Sequence, residues 1–561
     1  MKQTLTLLLT LSLLFSFNAN GQTWKWARGA SGPTSTEGYF SATDRSGNFY
    51  CNGNHRGTIQ FGAVTLSGAG VYLVKYDSSG NVKWGISTNT ITSTFSPFSA
   101  LGLATNLFGD VYVLGMHDTT ITLGGHTLLN PGPKNHYYFI AKIDSQGNTK
   151  WIKNLGNLAC RYFEMGANEM TVDASGNLVM ALSFTGSPVI GADTFINAAT
   201  DSSSDIFVGK FDSSGSLLWG RSYGGRKYDL AHGISVAPSG SLYVLGDFQR
   251  DTITFGASII HDTSSNVSHW SIFVAKFDSL GNPIWARSST GPGSMYTHGG
   301  ITSEGDDNVY IVGNSYTDTV NFGSATLLPA PASQAIVAKF DSSAVMQWTK
   351  IMTGSFIIPY DLEKDACDNI WVCATMGNMM CTDTVDGHII NSPARSSDPI
   401  FIAGWTPAGT YLHDAALASG GDDLVSIATD QCGNIYVEGD YNIDSFVVGG
   451  DTLRKSVVGS GSEYNFVARF NPDNSCYCIN ESSVKEIAHE DLIIYPNPVE
   501  GNLYLKQNNS LGHIVIYNFW GQEIYNTFCC SNNIVIDMSP FASGMYLIRI
   551  NDSEVRKMSK L

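Results

Sequence analysis

The residues that could do chemistry are dispersed along the chain and form no known catalytic signature. No Gly-x-Ser-x-Gly elbow occurs, and His489-Glu490 lacks the second His of a helical zinc site. No phosphate-binding glycine loop stands between a strand and a helix. Ten cysteines (Cys51, Cys160, Cys367, Cys373, Cys381, Cys432, Cys476, Cys478, Cys529 and Cys530) are irregularly spaced, and Cys476-Tyr477-Cys478 has no second pair at zinc-finger distance. They read as buried thiols or scattered bridges. The recurring carboxylates stand in Asp-Ser-Ser-Gly-Asn (77–81), Asp-Ser-Gln-Gly-Asn (144–148) and Asp-Ser-Leu-Gly-Asn (278–282). These are hairpin turns, in which Asp accepts from the amides ahead of it and Gly takes positive φ. A structural calcium ion is the alternative use of those carboxylates, but neither EF-hand nor nonapeptide spacing is present, and no cofactor is expected.

The remaining handle is variation between copies of a repeat. Just after each second strand, where a loop should leave the sheet, stand Asn54-His55-Arg56, Met116-His117-Asp118, Ser183-Phe184, Asp247-Phe248-Gln249-Arg250, Asn314-Ser315-Tyr316 and Asp440-Tyr441. If those loops share one rim, His55, Arg56, His117, Asp247, Arg250, Tyr316 and Asp440 are candidate ligand-facing residues suited to a glycan or a peptide. Solvated loop ends free to drift are the competing reading, and the His residues read as surface or packing residues before they read as ligands.

The elements that must position them come from a unit of about 65 residues that recurs seven times. Corresponding first-hairpin positions are Asn48, Asp110, Asn177, Ser241, Asn308, Asn369 and Asn434. A closing aromatic recurs at Trp84, Trp151, Trp219, Trp285 and Trp348, then degenerates to His413 and Cys478. Alternating apolar residues and tight turns fit four strands per unit, so the expectation is all-β: a seven-bladed β-propeller followed by a small antiparallel β-sandwich domain. Trp24-Lys25-Trp26-Ala27 resembles the end of a repeat and could supply the last strand of the seventh blade, with Ser475–Cys478 as its competitor.

Composition agrees with this plan. Charged residues are only 14% of the chain, too few for a disordered or helical protein, and 58 glycines suit many turns. The formal net charge of −17, with no long basic run, leaves no nucleic-acid footprint. Residues 1–21 have a basic start, an apolar core and a small-x-small cleavage signal, which makes them a signal peptide. No later stretch is long and apolar enough to span a membrane, so the mature chain is expected to be exported and monomeric.

The repeat pattern, Asp-x-x-Gly-Asn-x-Tyr-Val-x-Gly, then Phe-Gly, then Phe-Val-Ala-Lys-Phe-Asp and a Trp, resembles the secreted bacterial SBBP-type β-propeller repeat over roughly residues 24–478, within a propeller domain expected at 22–478. That resemblance implies architecture and no particular activity. After a linker at 479–490, residues 491–561 resemble the type A sorting domain of the type IX secretion system. The matching residues are Tyr495, Pro496, Asn497, Pro498, Gly501, Asp537, Gly544, Tyr546, Lys557 and Lys560. The resemblance implies recognition by the type IX machinery, passage across the outer membrane, and either surface attachment or release. The resulting expectation is a non-catalytic propeller used for binding at the cell surface. An extracellular polysaccharide or peptide hydrolase or lyase, and a passive surface-layer component, are the alternatives. Two carboxylates clustered with an Arg or His at the ring axis would favour the enzyme. Deleting residues 491–561 should leave the protein in the periplasm, as read by cell fractionation and immunoblotting; undiminished surface delivery would refute the sorting assignment.

Overall fold

The computed structural model describes residues 23–90, 99–472 and 493–560, apart from short stretches within them such as 161–168, 391–398 and 418–425. The signal peptide, the linker and Cys381, Cys476, Cys478 and Cys530 lie outside the described residues. The chain divides into two compact units, the first made of residues 1–171 and 178–477, with 478–561 forming the body of the second.

Besides small hairpin sheets, the first unit holds seven larger antiparallel sheets among the described residues, five of four strands, one of six and one of seven, each built on a four-stranded blade. Blade 1 runs Thr36–Thr43, Phe49–Arg56, Ala69–Tyr76 and Val82–Ser87 from the axis outward. Blade 4 runs Asp229–Val236, Leu242–Gln249, Trp270–Phe277 and Pro283–Ser288, and the others follow suit. Between the second and third strands the Phe-Gly arc is itself a small hairpin, such as Thr252–Phe255 with Ser258–His261. Neighbouring inner strands touch all the way round. Leu101 accepts from the Glu169 amide (3.4 Å) between blades 2 and 3, and the Ser235 and Ser303 hydroxyls meet at 2.9 Å between blades 4 and 5. Ser426 donates to Asp361 (3.0 Å) between blades 6 and 7, and Ser41 and Ser426 join blades 1 and 7. The ring is a β-propeller.

The turn carboxylates do the work expected of them. Asp77 accepts from the Ser79 and Asn81 amides at 3.0 and 2.9 Å, and Gly80 has φ +81°. At the hairpin between first and second strands the same Asp gains a further role. Asp44 accepts from the Tyr50 hydroxyl (2.8 Å), and the Lys75 ammonium lies 4.9 Å over the Tyr50 ring. Lys142 over Tyr112 and Lys339 over Tyr310 repeat the arrangement, and Asp430 receives Tyr436. The spacing from acid to Tyr in blades 1, 5 and 7 is thus set by a buried charge-assisted hydrogen bond, and blades 1, 2, 4 and 5 have the cation–π contact.

The closing Trp fastens each blade to the next. Trp84 donates its indole N–H to the Ser145 carbonyl (3.1 Å) and covers Gly147, where an added Cβ would sit 2.9 Å from the ring. Trp151 covers Gly215 and Trp219 covers Gly281 in the same way, while Trp285 and Trp348 donate to Ser342 and Pro407. Thr23–Ser31 pairs with Tyr464–Asn471 as the outer strand of blade 7, so the amino-terminal segment closes the ring. Trp26 then donates to Ser78 of blade 1 at 3.2 Å. This closure explains the degenerate His413. Blade 7 takes its outer strand from the other end of the chain and has no hairpin turn there for an indole to cover, and His413 instead stacks on Phe470 (5.8 Å, 6°).

The second unit is a sandwich of two sheets. Ile493–Tyr495, Asn502–Lys506 and Asn533–Asp537 form one, and Gly512–Asn518, Glu523–Cys529, Gly544–Ile550 and Glu554–Lys560 form the other. Leu503, Leu505, Ile514, Ile516, Ile548 and Met558 are core residues. Among the sorting residues, Tyr546 is buried and donates to the Ala542 carbonyl, and Asp537 accepts from the Ser539 amide. Gly501 accepts from the Met538 amide, Gly544 pairs with Lys560 and Leu547 with Lys557. Tyr495 and Pro496 are exposed, with the Tyr495 ring stacked on Tyr504 (5.3 Å, 11°). Pro498 is exposed and Asn497 lies outside the described residues.

One pair of blades departs from the repeat in a compensated way. Blade 4 has Ala237 where blade 2 has Asn106 and the other five first hairpins have an acid, and blade 5 has Asp307, at φ +60°, where blade 6 has Asp368 and the others have Gly. At two other interfaces that Gly packs over the preceding blade's acid, Gly109 over Asp44 and Gly47 over Asp430. Asp307 fills the space that Ala237 leaves empty. It accepts from Ser239, Ser241 (3.1 Å) and Lys276 (3.0 Å), and its backbone carbonyl accepts from Tyr243. Burial opposes ionisation of Asp307, but the Ser239 and Lys276 bonds prevail and hold its carboxyl below the usual range. Asp307→Gly should lower stability by about 2 kcal/mol, the loss of a largely buried ion pair less the relief of a left-handed non-glycine residue. Adding Ala237→Asp should restore most of it. Urea denaturation of the two variants checks this, and wild-type stability in D307G would refute the swap.

Candidate functional site

Four of the loop residues singled out by repeat variation are not on a rim. His55, His117, Asp247 and Asp440 lie inside second strands, which run further than the sequence suggested, and all four are buried. Their chemistry is internal. His117 is held by the Thr119 carbonyl and Asn154, each at 2.7 Å, and His55 contacts the Gly57 carbonyl at 3.2 Å. Burial lowers the pKa of His55. Asp440 accepts from the Gly38 amide of blade 1 (3.1 Å), and Asp247 from the Thr297 amide of blade 5 (3.2 Å). Ser183 takes the same place toward Ala231 of blade 4. These are clamps between a second strand and the inner strand of the following blade. At the equivalent junction of blades 5 and 6 the inner strand carries Pro359, which has no N–H. Its counterpart Asn314 is fully buried with both amide atoms unpartnered. Arg56 is exposed, and Arg250 and Tyr316 lie outside the described residues.

A different place collects reachable polar groups. Where the first hairpins meet at the axis, a cavity of about 390 Å³ opens, lined by inner-strand and hairpin residues of six blades. Thr43, Thr171, Thr302, Glu363, Thr429 and Arg45 are among the lining groups, and none of the lining residues is aromatic, His or Cys. Part of the hydroxyl set holds the wall together: Thr105 donates to the Thr43 carbonyl (2.7 Å) and Thr429 to the Lys364 carbonyl (2.6 Å). Glu363 is different. Its carboxylate accepts only the amide of its neighbour Lys364 (3.2 Å), while the Lys364 ammonium pairs with Asp368 (2.8 Å). Two residues earlier, Asp361 accepts from Leu362, Ser426 and Ile427 at 2.8–3.1 Å. Burial, with the nearby Asp361 charge second, pushes the Glu363 carboxyl up to about 8. Burial also raises Asp361, to about 6. Among the described residues no group of three or more His, Cys, Asp or Glu gathers at metal-binding separation.

With the ring and its axial cavity described, similarity to known proteins can be placed. Residues 493–561 match the family described as secretion system C-terminal sorting domain. The chain carries that sorting domain. It marks the protein for export by the type IX system to the cell surface or the extracellular space, and no helix of the described residues is long and apolar enough to cross a membrane. An uncharacterized WD repeat-containing protein of Acanthamoeba polyphaga mimivirus is 21% identical over 286 residues, which are 43% of this chain and 20% of that relative. The chain therefore spans about a fifth of that relative's length. Among solved structures, a catalytically inactive virginiamycin B lyase of Staphylococcus aureus with quinupristin aligns at 10% identity and a TM-score of 0.36, covering 79% of this chain and 98% of that one. PorZ, a surface component of the type IX secretion system of Porphyromonas gingivalis, aligns at 8% identity and a TM-score of 0.13 over 95% of this chain and all of the other.

The cavity was missed because its residues do not vary in the loops. Its signal was the inner strand of blade 6, where Asp361 and Glu363 alternate at positions that hold one other acid, Glu169 of blade 3, and otherwise small, hydroxylated or apolar residues such as Ala42, Ser235 and Phe40. A raised carboxyl pKa makes the folded state less stable as pH rises from the unfolded value of 4.5 toward about 8, because only the unfolded chain ionises freely there. Glu363→Gln should remove that slope, raising the melting temperature at pH 8 and leaving it nearly unchanged at pH 4. An equal effect at both values would overturn the assignment.

Proposed function

We propose that this chain is a type IX-delivered surface or secreted propeller that binds a polar extracellular ligand at the axial cavity on its first-hairpin face, with the sorting domain serving export alone. The observation that carries this is Glu363: a carboxylate facing a cavity of ligand size, held by its own strand and by no cation. The clamps formed by Asp247, Asp440 and Ser183 supply the rigidity that a preformed site requires. A hydrolase or lyase is the second reading, favoured by two neighbouring carboxyls whose pKa values are pushed apart, with Arg45 at the same mouth. Binding ranks first because both oxygens of Asp361 are engaged by the wall, which leaves Glu363 as the one carboxyl of the pair with an uncommitted oxygen. A glycan and peptide array probed with the purified exported protein, run beside hydrolysis assays on the positive ligands, tests the two readings. Retention that falls at least tenfold in E363Q without product formation supports binding. Turnover abolished by E363Q would replace it with the enzyme.

A further inference from the structure

The carboxyls at the axis have a pattern that points to one ligand chemistry. Counting back from each first hairpin, the position four residues before the turn is Phe40, Gly102, Glu169, Gly233, Gly300, Asp361 and Ser426 in blades 1 to 7. Two positions before the turn stand Ala42, Ala104, Thr171, Ser235, Thr302, Glu363 and Ala428. Side chains two apart on a strand leave it on the same side. Thr171 and Glu363 line the cavity, so Glu169 and Asp361 stand directly beneath them on blades 3 and 6. Glu169 is only 6% exposed, and its Oε2 is buried with no hydrogen-bond partner. Such a group is destabilising unless something else satisfies it.

We infer that the axial cavity is a receptor for a primary ammonium group, held by Glu363 at the mouth and reaching toward Glu169 beneath Thr171. This rests on the binding reading given above and names its chemistry. Three features select an ammonium over a sugar ring. The inward carboxyls accept hydrogen bonds and carry or can carry negative charge, which suits a donor of three N–H bonds. The acids of the lining, Asp44, Glu363, Asp365 and Asp430, outnumber its cations, Arg45 and Lys364, and Lys364 pairs with Asp368. The lining has no aromatic face on which a pyranose could stack. The charged groups around Glu363 are Asp361 and Lys364 on its own strand, Asp365 on its hairpin, where Asn369 and Trp371 engage it, Asp430 on the blade 7 hairpin, Asp44 and Arg45 on the blade 1 hairpin, and Glu169 of blade 3. Asp430 is committed to Asn434 and Tyr436, and Asp44 to Asn48 and Tyr50. A bound ammonium favours the ionised form of Glu363, so binding releases a proton and strengthens as pH rises.

The test is calorimetric titration of the exported protein with n-butylamine, with n-butanol as the uncharged isostere and a Gly-Lys-Gly peptide as the second source of the same group. Butylamine should bind about tenfold more tightly at pH 8.5 than at pH 5.5, with buffer-dependent heats that report proton release. E363Q should cost at least tenfold and E169Q a smaller factor, while E37Q, outside the cavity lining, should change nothing; melting curves confirm that each variant is folded. Peptide binding stronger than butylamine binding would assign the group to a protein side chain, and the reverse to a small amine. Butylamine behaving like butanol, or E363Q binding it as wild type does, overturns the inference. Should that failure coincide with an array ligand still lost in E363Q, the ammonium is wrong and the axial site stands. An array ligand retained in E363Q would instead overturn the axial site itself.

Discussion

An indole laid across a turn glycine is the contact on which the ring depends. Each outer-strand Trp reaches into the following blade and closes over a turn that only a residue tolerating positive φ can make, Gly147 under Trp84 being the clearest case, and Trp26, Trp84, Trp285 and Trp348 also give their N–H to a turn carbonyl. One hydrogen bond of this kind contributes about 1 kcal/mol, and the buried ring face adds more. Such a contact recurs around the circle at six of the seven junctions, and between blades 6 and 7 the stack of His413 on Phe470 stands in its place. Ala344, at φ +66°, shows that the turn shape matters more than the glycine that usually makes it.

That circular plan decides where polar chemistry can appear. Inner-strand side chains alternate toward the two neighbouring blades, and most are consumed there, as the Ser235 and Ser303 hydroxyls are by each other. A group becomes available to a ligand only where the neighbour offers no partner. Glu363 and Glu169 occupy such places, and Asn314 against Pro359 is the same effect at the opposite ends of the strands. Missing partners thus mark the sites where the repeats have been individualised.

Much of the scaffold was legible in the sequence because its causes are local. The Asp-to-Gly turns, the strand alternation and the recurring Trp each act within a few residues of where they are written, and the amino-terminal Trp pair was recognisable as a displaced repeat end. The clamps were not legible, since Asp440 and Gly38 are 402 residues apart and nothing near Asp440 announces its partner. Sequence variation between copies suggested ligand contact there, when it reflected which backbone amide the next blade could offer. The Asp307 swap was hidden for the same reason. Its meaning lies in the Ala237 of another blade.

The strand Thr23–Ser31 gives the molecule a test of its own completeness. Ala27 bonds to an Asp451 that lies 424 residues further on, so the first strand of the ring waits for almost the last before it has a neighbour. A chain that stops short leaves two unsatisfied sheet edges, the feature that invites pairing with other chains. A finished chain joins them and has none. The sorting domain begins only after that join in the sequence, so the address for export is written outside the segment that the ring needs to close.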